Sequence, residues 1–324
     1  MNVGRRLIPA AAVAGATALG LVALSACSPA GGSTGTKNGK LDVVASFYPM
    51  EYLAKEIGGK HVSVSALTKP GTEPHDLELT PQQTARLGEA GMILYLKGLQ
   101  PAVDEAVGQA EVENTVDAAR LTRLENHGAS VGPDHGHGHS HGEEQHGGEG
   151  AAADPHIWLD PVKYAQVAEG VGKALEKADP DHAADYRKNT EQLVGKLDGL
   201  DKEFRNGLKK RSTDTFITTH AAFGYLAERY GLDQEAITGL SPESEPSPSR
   251  IRDLHGIVAK DKVNTVFFEA IASKRTARSL ARDTRLKTDV LDPLEGITPQ
   301  SQGDNYLEVM QANLRNLQKA LGTP

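Results

Sequence analysis

The chain has 324 residues but only one cysteine, one tryptophan and no excess of basic side chains. A single cysteine excludes a disulfide within the chain. Lysines and arginines number 35 against 43 aspartates and glutamates, which gives a formal charge of -8. Because no basic face stands out in the sequence, nucleic acid is not an expected partner.

The N-terminus predicts an export signal over residues 1–26. A basic start with Arg5 and Arg6 precedes an apolar stretch over 7–24 and then small residues. The run LSAC that ends at Cys27 resembles the lipobox of bacterial lipoproteins, which implies a lipid on that cysteine. Loss of the signal would leave a formal charge of -10, since it removes two arginines and no acids. We therefore expect an extracytoplasmic protein anchored to the cell membrane, exported by either the Sec or the Tat route.

The remaining sequence predicts an α/β protein with two lobes. Residues 27–40 are rich in Gly and Ser and are expected to form a flexible tether. Strand-like runs then alternate with helical periodicity, which favours a mostly parallel sheet flanked by helices in each lobe, each with its own core. The predicted ranges are an N-terminal lobe over 41–178, a long linking helix over 179–212 and a C-terminal lobe over 213–324.

A histidine-rich tract over 126–153 interrupts the N-terminal lobe. It holds six of the twelve histidines, is rich in glycine and has too few apolar residues to fold. Imidazoles in alternate positions can converge on a borderline cation such as zinc, and four of them do alternate: His135, His137, His139 and His141. The alternative is an insertion whose deletion leaves the function unchanged.

Three further histidines follow predicted strands or begin loops, namely His75, His156 and His220. Ligands of open α/β sheets bind outside the carboxyl ends of the strands, so these positions favour a site between the lobes. Neutral imidazoles suit zinc, and a carboxylate can complete four-coordination. Any one of these histidines, taken alone, is more often a hydrogen-bonded structural residue than a ligand.

Eight runs occur in an order that resembles one family over residues 41–321: ASFYPMEYLAKEIGG, EPHDLELTPQQ, DPHIWLDP, TTHAAFGYLAERYGL, GLSPESEPSPSRI, FFEA, LDPLEG and YLEVMQANLRNL. The chain resembles the solute-binding lipoproteins of zinc and manganese ABC transporters. The resemblance implies that His75, His156 and His220 bind the metal. It implies Glu295 as the fourth ligand, with Glu73, Asp292 or water as alternatives at that position.

The family resemblance also implies a function. It predicts a monomeric, non-enzymatic binding protein that captures Zn²⁺ between two lobes joined by a rigid helix. The ion would pass to a membrane permease driven by an ATPase, and the histidine-rich loop would assist acquisition. Three imidazoles and one carboxylate favour zinc over manganese or iron, which remain the alternative cargo.

The sequence leaves two other classes of protein, and one further residue role, as alternatives. A zinc hydrolase is less consistent with the sequence, because no HExxH motif occurs. A surface adhesin that needs no metal is the third functional hypothesis. Glu245, which precedes a predicted helix, is expected either to suit the helix dipole or to hydrogen-bond a ligand histidine.

Overall fold

The computed structural model describes residues 35–127, 153–271 and 275–323. Several predicted features lie outside these ranges: the signal segment, Cys27, and the tract residues His135, His137, His139 and His141. Within the described ranges, no helix combines the length and the apolar content that crossing a bilayer would require.

The N-terminal lobe is built on a five-stranded sheet. Its elements are β1 (Thr36–Lys37), β2 (Lys40–Ala45), α1 (Tyr48–Gly58), β3 (Val62–Ala66), α2 (Pro81–Glu89), β4 (Met92–Tyr95), α3 (Pro101–Ala110) and β5 (Thr115–Asp117). Strand β2 pairs in parallel with β3 and β4, so that Val43 lies opposite both Val64 and Met92. Strand β5 extends the sheet in parallel beside β4.

The end of the predicted tether is structured. Thr36–Lys37 pairs antiparallel with the start of β2, with Thr36 opposite Leu41. Residues 36–40 therefore form a short hairpin, and the prediction of a tether that extends to residue 40 is wrong at its C-terminal end. The backbone can turn there because Asn38 and Gly39 both adopt positive φ values, which favour tight hairpin turns.

The C-terminal lobe carries a four-stranded sheet in which all strands are parallel. The strand order is β7-β6-β8-β9. Its elements are β6 (Thr215–Thr218), α6 (Gly224–Tyr230), β7 (Asp233–Ala236), α7 (Pro248–Lys260), β8 (Thr265–Phe268), α8 (Arg275–Thr284), β9 (Lys287–Val290) and α9 (Tyr306–Leu321). The prediction of parallel sheets flanked by helices is confirmed.

Two helices connect the sheets, α4 (Pro161–Ala178) and α5 (Ala183–Gly207). Helix α5 has 25 residues, which corresponds to about 37 Å at ~1.5 Å per residue. It contacts α1 and α4 on the side of the first sheet and α9 on the side of the second. The helix is shorter than the predicted range of 179–212, because a separate turn at Pro180–His182 precedes it.

The largest hydrophobic core is shared by the two lobes. Phe47 from the end of β2, Trp158, and Tyr306 at the start of α9 belong to one continuous buried cluster. Two smaller clusters, one around Ile93 and one around Val266, cover the outer faces of the two sheets. The expectation of two separate cores is therefore wrong, because apolar side chains from both sheets pack against one another between the lobes.

Trp158 connects the lobes through hydrogen bonds as well as packing. Its indole Nε1 donates to the carbonyl oxygen of Pro293 at 2.6 Å, and its own carbonyl oxygen accepts from the Tyr306 hydroxyl at 2.5 Å. The indole is fully buried and lies 4.9 Å from the Phe47 ring. Burial of polar groups is tolerated here because each one has a partner.

Candidate metal centre

His75 lies in the long loop between β3 and α2. The loop ends where Thr80 caps α2: the Thr80 hydroxyl accepts from the Gln83 backbone N–H, and the Gln83 side chain accepts from the Thr80 backbone N–H. Within the loop, the His75 backbone N–H donates to Glu73 Oε1 at 3.0 Å. The His75 side chain remains about 10% exposed.

His156 precedes the short turn Ile157–Leu159 that leads into α4. Asp154, two residues earlier, accepts from both the backbone N–H of His156 at 3.0 Å and its ring Nδ1 at 2.7 Å. The His156 side chain is fully buried, and its ring lies 5.2 Å from that of Trp158. A carboxylate on Nδ1 fixes the imidazole so that Nε2 is available to a metal.

His220 lies just beyond the carboxyl end of β6. Its Nδ1 lies 2.6 Å from Glu269 Oε1, at the end of the neighbouring strand β8. The Thr219 hydroxyl donates to the same carboxylate oxygen. The His220 carbonyl oxygen accepts from the Thr218 hydroxyl at 2.7 Å, so both the ring and the backbone of His220 are held in place.

Glu295 follows β9 in a turn that its neighbours stabilise. Asp292 accepts from the backbone N–H of Leu294 at 2.9 Å, and Leu294 adopts φ of 59°. Asn313 on α9 fixes the start of the turn, because its side chain accepts from the Asp292 N–H and donates to the Asp292 carbonyl oxygen. Left-handed backbone at a non-glycine residue is costly, and these hydrogen bonds hold it.

The four predicted ligand positions converge. The Nε2 atoms of His75, His156 and His220 lie 3.3, 3.4 and 3.3 Å from Glu295 Oε1. One ligand atom from each of the four residues lies within 4.8 Å of the others. A tetrahedral zinc ion with ligand bonds of about 2.0–2.1 Å has about 3.3–3.4 Å between its ligand atoms. The spacing therefore matches the edge of a zinc tetrahedron.

Several polar atoms in this cluster have no hydrogen-bond partner among the described residues. They are His156 Nε2, His220 Nε2, Glu295 Oε2 and Glu269 Oε2, all buried. Buried polar atoms without a partner are uncommon in folded proteins, because burial removes their hydration. The first two point into the space that Glu295 faces, and a cation bound there would satisfy them.

The charges of the cluster depend on one another. Burial alone would lower the pKa of His220, but Glu269 and then Glu295 raise it well above its usual value. Burial would likewise lower the pKa of His156, but Asp154 and Glu295 raise it. Burial alone would raise the pKa of Glu295, yet the three histidines lower it well below its usual range. The carboxylates therefore favour protonation of these imidazoles, and a metal ion competes with that proton.

The alternatives for the fourth position differ in geometry. Glu73 Oε1 lies 4.0 Å from His75 Nε2. Burial, together with the nearby Glu295, raises the pKa of Glu73 to about 8. Asp292 accepts from the Leu294 N–H with Oδ1, so this carboxylate braces the turn. Glu295 alone of the three is within 3.4 Å of all three imidazoles.

The expectation that Glu245 hydrogen-bonds a ligand histidine is wrong. Glu245 is exposed, and α7 begins after it with Ser247 as the capping residue. Asp154 and Glu269 hold the histidines instead. Asp154 could have been found from its position two residues before His156. Glu269 could have been found because it follows a predicted strand, as His220 does, and the carboxyl ends of neighbouring parallel strands lie side by side.

Comparison with known proteins identifies the family. Residues 43–320 match the model of the family described as zinc-uptake complex component A, periplasmic. The chain belongs to this family. The resemblance seen in the sequence motifs is thereby confirmed over nearly the whole described region.

Individual relatives agree with this assignment. The chain is 36% identical to the high-affinity zinc uptake system protein ZnuA of Bacillus subtilis (strain 168), over 93% of this chain and 94% of that protein. It is also 36% identical to the zinc-binding lipoprotein AdcA of Streptococcus pneumoniae serotype 4. That match covers 87% of this chain but only 56% of AdcA. The chain thus spans little more than half of the AdcA relatives.

A solved structure shows the same fold. The Zn(II)-bound ZnuA-like domain of Streptococcus pneumoniae AdcA superposes with a TM-score of 0.71 at 33% sequence identity. The alignment covers 87% of this chain and 99% of that domain. The fold of the present chain is therefore that of a ZnuA-like solute-binding protein.

Proposed function

We propose that this protein captures Zn²⁺ between its lobes as the extracytoplasmic binding component of an ABC importer. His75, His156, His220 and Glu295 bind the ion. One observation carries the proposal: three imidazole Nε2 atoms lie 3.3–3.4 Å from a single oxygen of Glu295, the separation of ligand atoms around tetrahedral zinc.

The ligand set favours zinc over the alternative cargoes. Imidazole suits zinc, whereas manganese prefers sites with more oxygen ligands. The carboxylates of Asp154 and Glu269 lie on Nδ1 of His156 and His220, which orients the ligands and makes them more basic. A site held in this way before the ion arrives binds tightly, because little conformational freedom is lost on binding.

The same ligand set supports binding without catalysis. Catalytic zinc sites keep a fourth position open for water, whereas closed sites use four protein ligands. Glu295 is fully buried and faces all three histidines, so it completes the tetrahedron that a hydrolytic water would otherwise enter. We therefore propose a carrier and not a hydrolase.

The route of the ion follows from the family and the N-terminal sequence. Export with a lipid on Cys27 would hold the protein at the outer side of the cell membrane. The loaded monomer would hand Zn²⁺ to the permease of the importer, which a cytoplasmic ATPase drives. The tract histidines, including His135, His137, His139 and His141, would collect zinc weakly and raise its concentration near the buried site.

Isothermal titration tests the buried site. The full chain, with the tract histidines His135, His137, His139, His141 and His146 replaced by serine, should bind Zn²⁺ tightly at this site and Mn²⁺ far more weakly. Glu295→Gln removes a charged ligand and should weaken zinc binding by about 100-fold, if ~10–16 kcal/mol is shared among four ligands. Glu73→Gln is the matched control and should change affinity by less than about threefold. A larger effect of Glu73→Gln than of Glu295→Gln would contradict the ligand assignment.

A further inference from the structure

A second group of possible metal ligands lies outside the buried centre. Glu125, His127 and Glu228 each offer a ligand atom, and these atoms lie within 4.8 Å of one another. His127 Nε2 lies 2.8 Å from Glu228 Oε2 and 3.8 Å from Glu125 Oε2. The group stands at the start of the histidine-rich tract over 126–153, because His127 is its second residue.

The two histidine clusters share one carboxylate. Asp154 Oδ2 lies 3.1 Å from His127 Nδ1, while Asp154 Oδ1 lies 2.7 Å from His156 Nδ1. Each imidazole is therefore held at Nδ1. The Nε2 of His156 has no hydrogen-bond partner among the described residues, whereas the Nε2 of His127 is hydrogen-bonded to Glu228, a partner that it would share with an ion. In His156 this atom faces the buried centre, and in His127 it faces the two glutamates.

His127 packs closely against the start of α6. A Cβ atom at Gly224, the first residue of α6, would lie only 2.2 Å from the His127 Cβ and 3.0 Å from Asp154 Oδ2. The Tyr225 ring packs edge-on against the imidazole at 4.4 Å. The Asp154 backbone N–H donates to the Glu125 carbonyl oxygen at 2.9 Å, so the two ends of the tract are tied together here.

Access and charge also favour a cation. The Glu228 side chain is 60% exposed, and that of His127 is 17% exposed. A cavity of about 670 Å³ opens beside them, and its lining includes Asp233 and Asp261, Asp214, which is paired with Arg211, and one basic side chain, Lys260. A cleft lined mostly by one sign of charge raises the local concentration of the opposite ion.

One basic side chain limits the strength of this cluster. Lys163 Nζ donates to Glu125 Oε1 at 2.9 Å, which leaves Oε2 as the oxygen that faces His127. An ion at the cluster would therefore have one imidazole and two carboxylates, one of them already partly neutralised. Such a set binds a first-row divalent cation less tightly than three buried imidazoles and a carboxylate.

We propose that Glu125, His127 and Glu228 form a second divalent-cation site, which binds Zn²⁺ at the surface and shares Asp154 with the buried centre. Only the choice of zinc as the ion rests on the proposed function. An ion held here is bonded to an imidazole whose partner carboxylate also orients His156.

Equilibrium dialysis against excess Zn²⁺ tests the stoichiometry. The parent is the full chain, stripped with chelator, with His135, His137, His139, His141 and His146 replaced by serine. It should bind two ions per chain. Glu228→Gln should bind one, while Glu169→Gln, the same change at an exposed position on α4, should still bind two. Binding of one ion by the parent, or of two by Glu228→Gln, would overturn the proposal.

Variants of the buried centre separate this test from that of the proposed function. His220→Ala should lose the tight ion and keep the weak one, and addition of Glu228→Gln should then abolish the second. Asp154→Asn should weaken both ions by about 10- to 100-fold, since it removes a hydrogen-bond acceptor from an imidazole in each site. Loss of only the tight ion in Asp154→Asn would contradict a shared carboxylate. Thermal unfolding of each metal-free variant checks that it is folded.

Discussion

The three histidines of the buried centre are held in two different ways. His156 and His220 are fully buried, and each has a carboxylate on Nδ1, at 2.7 and 2.6 Å. His75 lies on a long loop with its side chain about 10% exposed. Within the described residues, no carboxylate lies on Nδ1 of His75, and Glu73 accepts from its backbone N–H instead. The difference suggests two fixed ligands and one that orders when the ion binds.

This comparison fits the shared core. Trp158 and Tyr306 join the lobes through buried hydrogen bonds and apolar packing, which opposes wide opening. Elements with few buried contacts open at low free energy, whereas core elements open only with global unfolding. We therefore expect loading to involve the loop that carries His75, with little rotation of one lobe against the other.

The largest expected effect is the loss of a fixed ligand. His220→Ala should weaken zinc binding by more than about 100-fold, because it removes a ligand and leaves the buried Glu269 carboxylate without its imidazole. His75→Ala should cost about tenfold less, since both variants remove a ligand beside Glu295 but only His220→Ala also deprives a second buried carboxylate, Glu269, of its partner. Chelator competition measures both affinities. Equal losses for the two variants would remove the distinction between fixed and loop ligands.

An intermediate effect is expected from the carboxylate behind His220. Glu269→Gln should reduce zinc affinity by about 10- to 100-fold, because the ring of His220 loses its charged partner. Asp76→Asn, an exposed change beside His75, is the control and should leave affinity within about twofold. An unchanged affinity in Glu269→Gln would show that the carboxylate does not orient the ligand.

The smallest effect is a dependence of zinc stabilisation on pH. Because the folded pKa of His220 lies above its usual 6.5, this group stabilises the metal-free fold fully below that value. Its contribution is lost as pH rises through the folded pKa. Zinc binds the neutral imidazole, so its apparent affinity rises over the same interval. The gain in Tm on adding Zn²⁺ should therefore increase from about pH 6 to pH 9.

Calorimetric scans of the chain with serine in place of the tract histidines measure this gain. In His220→Ala the increase across the pH range should be smaller, because the most strongly shifted imidazole is gone. A gain in Tm that is constant with pH in the parent would show that the cluster holds no protons for zinc to displace.

Much of the local structure was predictable because its signals are local. Thr80, Pro81 and Gln83 form a capping box in sequence and in space, so the start of α2 was apparent. The run YLEVMQANLRNLQKAL has the apolar periodicity of an amphipathic helix, and it forms α9 over Tyr306–Leu321. Helix α3 and strand β5 were not predicted. Strand β5 has only three residues, too few to show a period.

Other expectations were wrong because they concern features that depend on long-range packing. The fusion of the two cores depends on Phe47, Trp158 and Tyr306 meeting across more than 250 residues of sequence, which no local pattern encodes. The hypothesis that Glu245 hydrogen-bonds a ligand histidine rested on its position before a helix. The pairing of parallel strands β6 and β8 places Glu269 beside His220 instead.

The sequence by itself determined most of the order of strands and helices and the resemblance to the family, and that resemblance implied the four residues expected to hold the metal. Periodicity, capping and ordered motifs are properties of neighbouring residues, and they survive without coordinates. Only the tertiary structure decided that three Nε2 atoms meet one oxygen of Glu295, and that Asp154 bonds both His127 and His156. Distances of this kind depend on how separate elements pack, and packing is set by the whole chain.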